Sequence, residues 1–152
     1  MLPVKKVARH IGRGTQLAAL CYRLRKDDSC EILLITSRGT GRWIPPKGWP
    51  IKGVSPEKAA AVEALEEAGV KGNVHKQALG CYKYLRARTG CSKPSAEAYI
   101  FPLEVTGFAK NYKEKGQRKM KWVSPKKAAS MVREPKLRKI IREFDPKALK
   151  SA

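Results

Sequence analysis

Acidic residues are scarce in this sequence, and their scarcity sets its most unusual property. The chain of 152 residues has 13 Asp and Glu against 33 Lys and Arg, which gives a formal net charge of +20. A surface with this excess of cations attracts polyanions. The expected partner is therefore anionic, and composition alone leaves polyphosphate metabolites, nucleic acid and acidic lipid as alternatives.

Long apolar runs and paired cysteines are also missing. No apolar stretch approaches the roughly 18 residues that a membrane-spanning helix requires, and residues 1–6 lack the apolar core of a signal peptide. We therefore expect a cytoplasmic protein that does not associate with membranes. The lack of any Cys-x-x-Cys pair argues against a zinc ribbon or a redox dithiol. We expect reduced core thiols at all four cysteines, Cys21, Cys30, Cys81 and Cys91.

The remaining composition suits one folded domain over residues 1–152. Hydrophobic residues make up 42% of the chain and charged residues 30%, which is ordinary for a folded protein. Apolar, β-branched runs at 16–24 and 30–36 predict two strands joined by a polar turn. Residues 37–55 contain four glycines and three prolines, and we expect this segment to be an irregular loop with a function.

A helix is predicted after this loop. Ser55 is a favourable N-cap residue, Pro56 suits the first helical position, and Gly69 is a typical C-terminal stop after Ala68. The later pattern predicts strands over 79–87 and 96–105 with a turn at 88–90, and a short strand within 119–124. Residues 125–132 and 135–144 are expected to form one helix or a broken pair, followed by a frayed tail at 145–152. This order of elements predicts a layered α/β domain.

Three glutamates on the predicted helix are the most informative feature. Spacings of three and four residues place Glu63, Glu66 and Glu67 on one side. Their immediate neighbours are apolar, so local sequence supplies no cation to relieve the repulsion. Oxygen ligands suit Mg²⁺, with Mn²⁺ as the second choice, and such an ion would support phosphoryl transfer to water. The alternative is that the three carboxylates form a solvated helix face.

The residues around these glutamates resemble the Nudix box, G-x5-E-x7-R-E-U-x-E-E-x-G-U, in which U is apolar. Six positions match at the required offsets: Gly48, Glu63, Glu66, Glu67, Gly69 and Val70. Two positions depart, because Val54 stands where the first glutamate is expected and Val62 where the arginine is expected. Glu57 is a weak candidate for compensation. A catalytically weak domain that binds polyphosphate or nucleic acid is therefore the alternative to an active enzyme.

A wider resemblance covers most of the chain. Segments 36–38, 42–44, 46–48, 66–72 and 122–124 are similar to those of diphosphoinositol polyphosphate phosphohydrolases and dinucleoside polyphosphate hydrolases. The resemblance implies a MutT-like α/β/α sandwich around a mixed sheet, magnesium dependence, and pyrophosphatase activity on a diphosphate linked to another moiety. Diphosphoinositol polyphosphate or dinucleoside polyphosphate is the leading substrate class, and a nucleoside triphosphate or an RNA end is the alternative.

The resemblance also implies roles for individual residues. Glu63 and Glu67 are the expected metal ligands, and Glu66 is a third ligand or the general base. The backbone carbonyl of Lys47 or Gly48 is expected to complete the metal sphere. If the base lies outside the box, the candidates are Glu97 and Glu114.

Cations in the loop before the helix form the expected phosphate grip. Arg and Lys are suited to charge-assisted contacts with phosphate, whereas the alternative is that these are ordinary surface charges. The four residues are Arg38, Arg42, Lys47 and Lys52. Trp43 and Trp49 are expected to pack against the core rather than to stack on a base. The basic C-terminal helical segment at about 125–144 either widens the anion-binding face or forms a solvated helix surface.

Overall fold

The computed structural model describes residues 1–85 and 95–149. The strands within these residues are β1 (Leu2–Pro3), β2 (Thr15–Leu24), β3 (Cys30–Thr36), β4 (Trp43–Ile44), β5 (Lys47–Gly48), β6 (Val70–Val74), β7 (Gln77–Ala78), β8 (Gly80–Leu85), β9 (Ser95–Phe108) and β10 (Met120–Val123). The helices are α1 (Val4–His10), α2 (Pro56–Ala68), α3 (Pro125–Met131) and α4 (Pro135–Arg142), and a 3-10 helix covers Pro146–Ala148.

The central sheet is mixed. Its main path has the strand order β10-β3-β2-β9-β6, while β4 pairs with β3, β5 with β2 and β8 with β9. Strands β2 and β9 are parallel, from the pair Thr15 and Glu97 to the pair Tyr22 and Glu104. The other pairs in this sheet are antiparallel. Strands β1 and β7 form a separate two-stranded sheet.

Helices cover both faces of this sheet. One core joins even-numbered residues of β2, such as Leu20, to the buried sides of α3 and α4. The other core joins odd-numbered residues of β2, such as Leu17, to α1 and α2. Burial on both faces explains why β2 is an almost continuous apolar run rather than an alternating one. The expected α/β/α sandwich with a mixed sheet is therefore confirmed.

Most predicted elements are present, with several corrections to their bounds. Strand β3 and helix α2 have the predicted limits, whereas β9 is longer than predicted and α4 ends at Arg142. The loop at 37–55 contains the two-residue strands β4 and β5, which we did not expect. The sequence reading also missed α1 and β6 and wrongly predicted fraying where the 3-10 helix lies. The predicted turn at 88–90 lies outside the described residues.

The ends of α2 differ in how they are capped. Ser55 has the extended backbone of an N-cap residue, but its hydroxyl makes no capping hydrogen bond, contrary to our expectation. Gly69 ends the helix as predicted, with φ of 70° and its N–H bonded to the carbonyl oxygen of Leu65 at 2.9 Å. A Cβ at Gly69 would overlap the ring of Tyr112. Glycine is needed there for both its positive φ and its small size.

The cysteines are less uniform than expected. Cys21 is buried, but Cys30 and Cys81 are only half-buried, so the expectation of core thiols is wrong for these two. All three are free thiols, and Cys91 lies outside the described residues. Among the helices of residues 1–85 and 95–149, none is long and apolar enough to cross a membrane.

Candidate functional site

Helix α2 presents the three predicted glutamates at different depths. Glu63 and Glu66 are half-buried, while Glu67 is buried at 8% exposure. The side chains are not gathered around one point. Across the described part of the chain, no three His, Cys, Asp or Glu side chains are grouped so that they could hold a metal ion. The helix therefore supplies oxygen donors on one side, without a preassembled metal sphere.

Glu67 is held between the loop and a distant arginine. Its Oε1 accepts a hydrogen bond from the backbone N–H of Lys47 at 3.3 Å, and its Oε2 lies 3.6 Å from Nη2 of Arg118. Burial raises the pKa of the Glu67 carboxyl to about 7, and the neighbouring charge of Glu63 contributes to that rise. Arg118 and the Lys47 N–H act in the opposite direction. Glu67 is thus a desolvated carboxyl whose pKa lies near neutrality.

Glu63 lies against the backbone of strand β5. A Cβ on Gly48 would overlap the Glu63 carboxylate, so glycine at position 48 provides the space that this side chain occupies. Burial, followed by the negative charges of Glu66 and Glu114, raises the pKa of Glu63 above its usual range. The matching glycine and glutamate of the box motif are therefore in direct contact, although they are fifteen positions apart in sequence.

The segment at 109–119 covers the C-terminal turn of α2. The N–H of Ala109 donates to the carbonyl oxygen of Gly69 at 2.8 Å, and the N–H of Glu114 donates to that of Glu66 at 2.9 Å. These bonds satisfy carbonyl groups that a helix end leaves unpaired. They also bring Glu114 toward Glu63 and Glu67, and its charge raises the pKa of both.

Arg118 is the residue at this site that sequence reasoning missed. Its side chain is 7% exposed, and its Nε and Nη2 donate to Oε1 of Glu114 at 3.0 and 2.7 Å. Its Nη1 donates to the carbonyl oxygen of Thr36 at 3.0 Å. The sequence predicted no cation beside the three glutamates because Arg118 follows them by about fifty residues. The structure corrects this prediction for Glu67.

The four cations of the expected phosphate grip are not equivalent. Lys47 and Arg42 are half-buried, and Nη1 of Arg42 lies 3.4 Å from Oε2 of the buried Glu134. Arg38 is exposed, with its Nε 3.5 Å from Oε1 of Glu114. Lys52 is exposed and makes no ion pair with the described residues. The structure therefore brings the Lys47 backbone to Glu67 and Arg38 to Glu114, whereas Arg42 is paired with Glu134 and Lys52 lies at the surface.

Lys47 links the acidic face to a tyrosine on β8, a strand that pairs with β9 rather than with β5. Its Nζ lies 4.7 Å from the ring centroid of Tyr84, whose hydroxyl donates a hydrogen bond to Oε1 of Gln16. Burial lowers the pKa of Lys47, although the charges of Glu67 and Glu134 oppose that shift. A cation over an aromatic ring keeps its charge in a poorly hydrated place. The ammonium therefore lies over Tyr84 while the charge of Glu67 acts on it.

Several secondary candidates have other surroundings. Glu97, one of the two alternative bases, accepts a hydrogen bond from the thiol of Cys81 at 3.6 Å. Glu114, the other, shares the partner Arg118 with Glu67. Glu57 is buried, and its Oε1 has no hydrogen-bond partner among the described residues. Val54 packs against the core beneath α2, and Val62 is half-buried.

The two tryptophans of the loop also differ. Trp43 packs against the core beneath α3 and α4, which confirms its expected role. Trp49 is 45% exposed, so the expectation that it packs in the core is wrong.

The arrangement combines three features that suit anionic chemistry. A buried carboxyl with a raised pKa lies beside two half-buried carboxylates, its charge acts on the half-buried Lys47, and Gly48 leaves room for the Glu63 carboxylate. Carboxylates that raise one another's pKa are disfavoured unless a cation neutralises them. The donor set is therefore chemically suited to a hard divalent ion, and the cations are suited to phosphate.

Comparison with known proteins identifies the family. The model of the NUDIX domain matches residues 14–146. Nudix hydrolase 18, mitochondrial, from Arabidopsis thaliana is 32% identical over 130 residues, which are 81% of this chain and 71% of that protein. Diphosphoinositol polyphosphate phosphohydrolase 3-alpha from Mus musculus is 33% identical over 114 residues, which are 73% of this chain and 64% of that protein.

A solved structure agrees with the fold. A binary complex of the C. elegans Ap4A hydrolase superposes with a TM-score of 0.62 at 21% identity, covering 86% of this chain and 93% of that one. The family match includes all of β2 through α4 and therefore every glutamate of the box. The chain accordingly belongs to the Nudix hydrolase family and is an enzyme of the pyrophosphohydrolase class.

Proposed function

We propose that this enzyme is a magnesium-dependent hydrolase of a highly phosphorylated small molecule, either a diphosphoinositol polyphosphate or a dinucleoside polyphosphate. The observation that carries the proposal is the hydrogen bond from the backbone N–H of Lys47 to Glu67, because it joins the cation-rich loop to a buried carboxyl whose charge acts on the Lys47 ammonium. Charge supports a substrate with many phosphates, since the chain has a net charge of +20. The similarity to the mouse diphosphoinositol polyphosphate phosphohydrolase supports the same substrate class.

The proposed metal ligands are Glu63, Glu66 and Glu67, with the backbone carbonyl of Gly48. The raised pKa values of Glu63 and Glu67 support this assignment, because these two carboxyls are held where their negative charge is costly. The chemistry that a divalent ion supplies is neutralisation of phosphate charge and acidification of water. Mn²⁺ is the proposed substitute for Mg²⁺, because both prefer oxygen ligands.

The remaining steps are assigned to the side chains of this chain. Arg38, Arg42 and Lys47 would bind the phosphates and orient the diphosphate toward α2, and Lys52 would add a weaker contact from the surface. Glu66, or Glu114 from the covering segment, would remove a proton from water as it attacks phosphorus. Water thus adds across the P–O–P bond, and two phosphorylated products leave. Exclusion of bulk water by the segment at 109–119 would strengthen these charge interactions.

A binding domain with little turnover is the second candidate, and a specific observation favours it. Val54 and Val62 replace two charged positions of the box, and both side chains are at least half-buried. Arginine at position 62 would restore one of those charges. If the natural chain releases no phosphate and Val62→Arg gives a large increase in phosphate release, the natural chain is a polyphosphate- or nucleic-acid-binding domain. Turnover by the natural chain supports the enzyme.

A substrate screen tests the leading proposal. The purified chain would be incubated with a diphosphoinositol pentakisphosphate, diadenosine tetraphosphate, nucleoside triphosphates and a 5′-triphosphate RNA, each with and without Mg²⁺. We expect Mg²⁺-dependent release of phosphate or nucleotide from one of the first two, and none from Glu67→Gln. Cleavage restricted to RNA ends would overturn the proposed substrate class. Binding that weakens steeply with salt but yields no product would support the second candidate.

We also propose that residues 1–152 form one domain and that the enzyme works in the cytoplasm. The family match from residue 14 to 146 supports the first statement. A mitochondrial location is the alternative to the cytoplasm, because the Arabidopsis relative is named as mitochondrial. Microscopy of the fluorescently tagged full-length chain in its native cell would distinguish the two compartments.

A further inference from the structure

Arg118 joins three segments that are separate in sequence. Its guanidinium contacts the carbonyl oxygen of Thr36 at the end of β3, the carboxylate of Glu114 in the covering segment, and the carboxylate of Glu67 on α2. The side chain is 7% exposed, and those of Glu67 and Glu114 are 10% and 13% exposed. A buried guanidinium with several acceptors has one orientation, because its planar fork fixes the directions of its N–H groups.

Glu67 has few other restraints. Apart from the contact with Arg118, its polar contact among the described residues is with the N–H of Lys47, at the rather long distance of 3.3 Å. Burial and the negative charges of Glu63 and Glu114 work against the charged form of this side chain. Without a cation nearby, a flexible glutamate would turn toward solvent to regain hydration.

We propose that Arg118 is a positioning residue that holds Glu67 and Glu114 facing each other across the end of α2. It fixes Glu67 against the Lys47 N–H. It also supplies, from a distant segment, the guanidinium that α2 itself lacks at Val62. The assignment rests on the proposed function insofar as Glu67 takes part in hydrolysis. The contacts themselves do not depend on the substrate. Arg118 acts through the two glutamates and is not assigned a contact with the substrate.

Replacement by lysine separates geometry from charge. Lysine keeps one positive charge, but it cannot donate along the three directions that the guanidinium uses. We therefore expect Arg118→Lys and Arg118→Gln to lower kcat by roughly 10-fold to 100-fold, the usual effect of losing a residue that orients a metal ligand. KM should stay within about threefold of its original value, because substrate contacts are unchanged.

A matched control breaks an arginine–glutamate pair elsewhere. Nη2 of Arg23 lies 2.8 Å from Oε1 of Glu31 on neighbouring strands, and neither residue is assigned to the site. Arg23→Gln should leave both kcat and KM unchanged. If Arg118→Lys retains full kcat, the role is electrostatic rather than positional, and the proposal is wrong. If kcat and thermal stability of the Arg118 variants both equal those of the parent, the proposal is also wrong.

Amide hydrogen exchange tests the positioning without metal or substrate. In Arg118→Gln, the Lys47 amide should exchange about tenfold faster, because Glu67 no longer stays within its reach. A purely structural role would speed exchange at the Glu114 amide and leave Lys47 protected, which would overturn the proposal. The same measurement distinguishes failure of the positioning role from failure of the proposed function. If the parent has no hydrolase activity but its Lys47 amide exchanges faster in Arg118→Gln, only the proposed function is refuted.

Discussion

The backbone N–H of Lys47 donates a hydrogen bond to Oε1 of Glu67 at 3.3 Å, and this bond connects the glycine- and proline-rich loop to the acidic side of α2. The ammonium of the same lysine lies over Tyr84. One residue therefore restrains the carboxyl through its backbone and offers a cation through its side chain. The charge of Glu67 acts on that ammonium, so a phosphate bound there would lie within electrostatic reach of the carboxyl.

The buried Glu67 carboxyl should make the stability of the metal-free protein depend on pH. Its folded pKa of about 7 exceeds the ordinary value of 4.5. Folding therefore favours the protonated form, so this residue's contribution is fully present below pH 4.5 and is lost as pH rises through about 7. Glu67→Gln lacks this loss. We expect the free energy of unfolding of the parent to fall relative to the variant across that range.

Denaturant unfolding in the presence of a chelator would measure this difference at several pH values. Gln keeps the size and the acceptor of Glu, so the variant should remain folded. Parallel pH profiles for the two proteins would show that Glu67 is more hydrated than the structure indicates. In the loaded enzyme, the same substitution should reduce turnover by at least about a hundredfold, because it removes a carboxylate from the proposed metal site.

Gly48→Ala should separate activity from stability. The added methyl group would overlap the carboxylate of Glu63. That carboxylate is the end of a flexible side chain, so it can rotate away at little energetic cost and leave its place at the site. We expect kcat to fall by roughly tenfold or more while the free energy of unfolding changes by about 1 kcal/mol or less.

Gly107→Ala is the matched control for this substitution. Nothing lies within 4 Å of a Cβ at Gly107, and the backbone there has no positive φ. This variant should be indistinguishable from the parent in kcat. A Gly48→Ala protein that unfolds early would show that the backbone of β5, rather than Glu63, yields to the new methyl group.

The elements predicted well are those whose sequence signals are local. Helix α2 has the predicted bounds because Pro56 and Gly69 fix its ends through backbone chemistry alone. Strand β3 was predicted because its apolar residues are continuous. Helix α1 was missed because it has seven residues, three of them Lys or Arg, and one buried side chain, Val7. So short a segment becomes helical through packing against its neighbours rather than through its own pattern.

The site shows the same limit. The spacing of Glu63, Glu66 and Glu67 predicted a shared side of α2, because helix periodicity alone determines it. The pairing of Glu67 with Arg118 depends on how the segment at 109–119 crosses the end of α2, and no local pattern reports that. Burial of Glu67 and exposure of Trp49 are likewise properties of the packed molecule.

Lys47→Gln should weaken substrate binding more than it slows the chemical step. The substitution removes the ammonium over Tyr84 but keeps the backbone N–H that Glu67 accepts. We expect KM for a polyphosphate to rise roughly tenfold. Because burial lowers the pKa of Lys47, the parent's KM should also rise with pH sooner than for an exposed lysine. The variant should lack that rise. Lys58→Gln, an exposed change on α2, is the control.

Glu134→Gln should strengthen phosphate binding. The buried Glu134 carboxylate lies 3.4 Å from Arg42, and its charge also acts on Lys47. A negative charge there competes with phosphate for both cations. Gln keeps the shape and an acceptor for Arg42 but removes the charge. The gain should be on the order of 1 kcal/mol, or roughly fivefold in KM, for charges separated by several ångströms near a protein surface.

A rise in KM on Glu134→Gln, instead of the expected fall, would identify a different role for the contact between Glu134 and Arg42. If Glu134 instead holds Arg42 in its substrate-binding orientation, then Glu134→Gln should raise KM, because the guanidinium would lose its anchor at the start of α4. Glu143→Gln removes an exposed charge at the other end of the same helix and should leave KM unchanged. Measuring KM for all three proteins at two salt concentrations separates the two roles. Competition by charge fades with salt, whereas loss of an anchor persists.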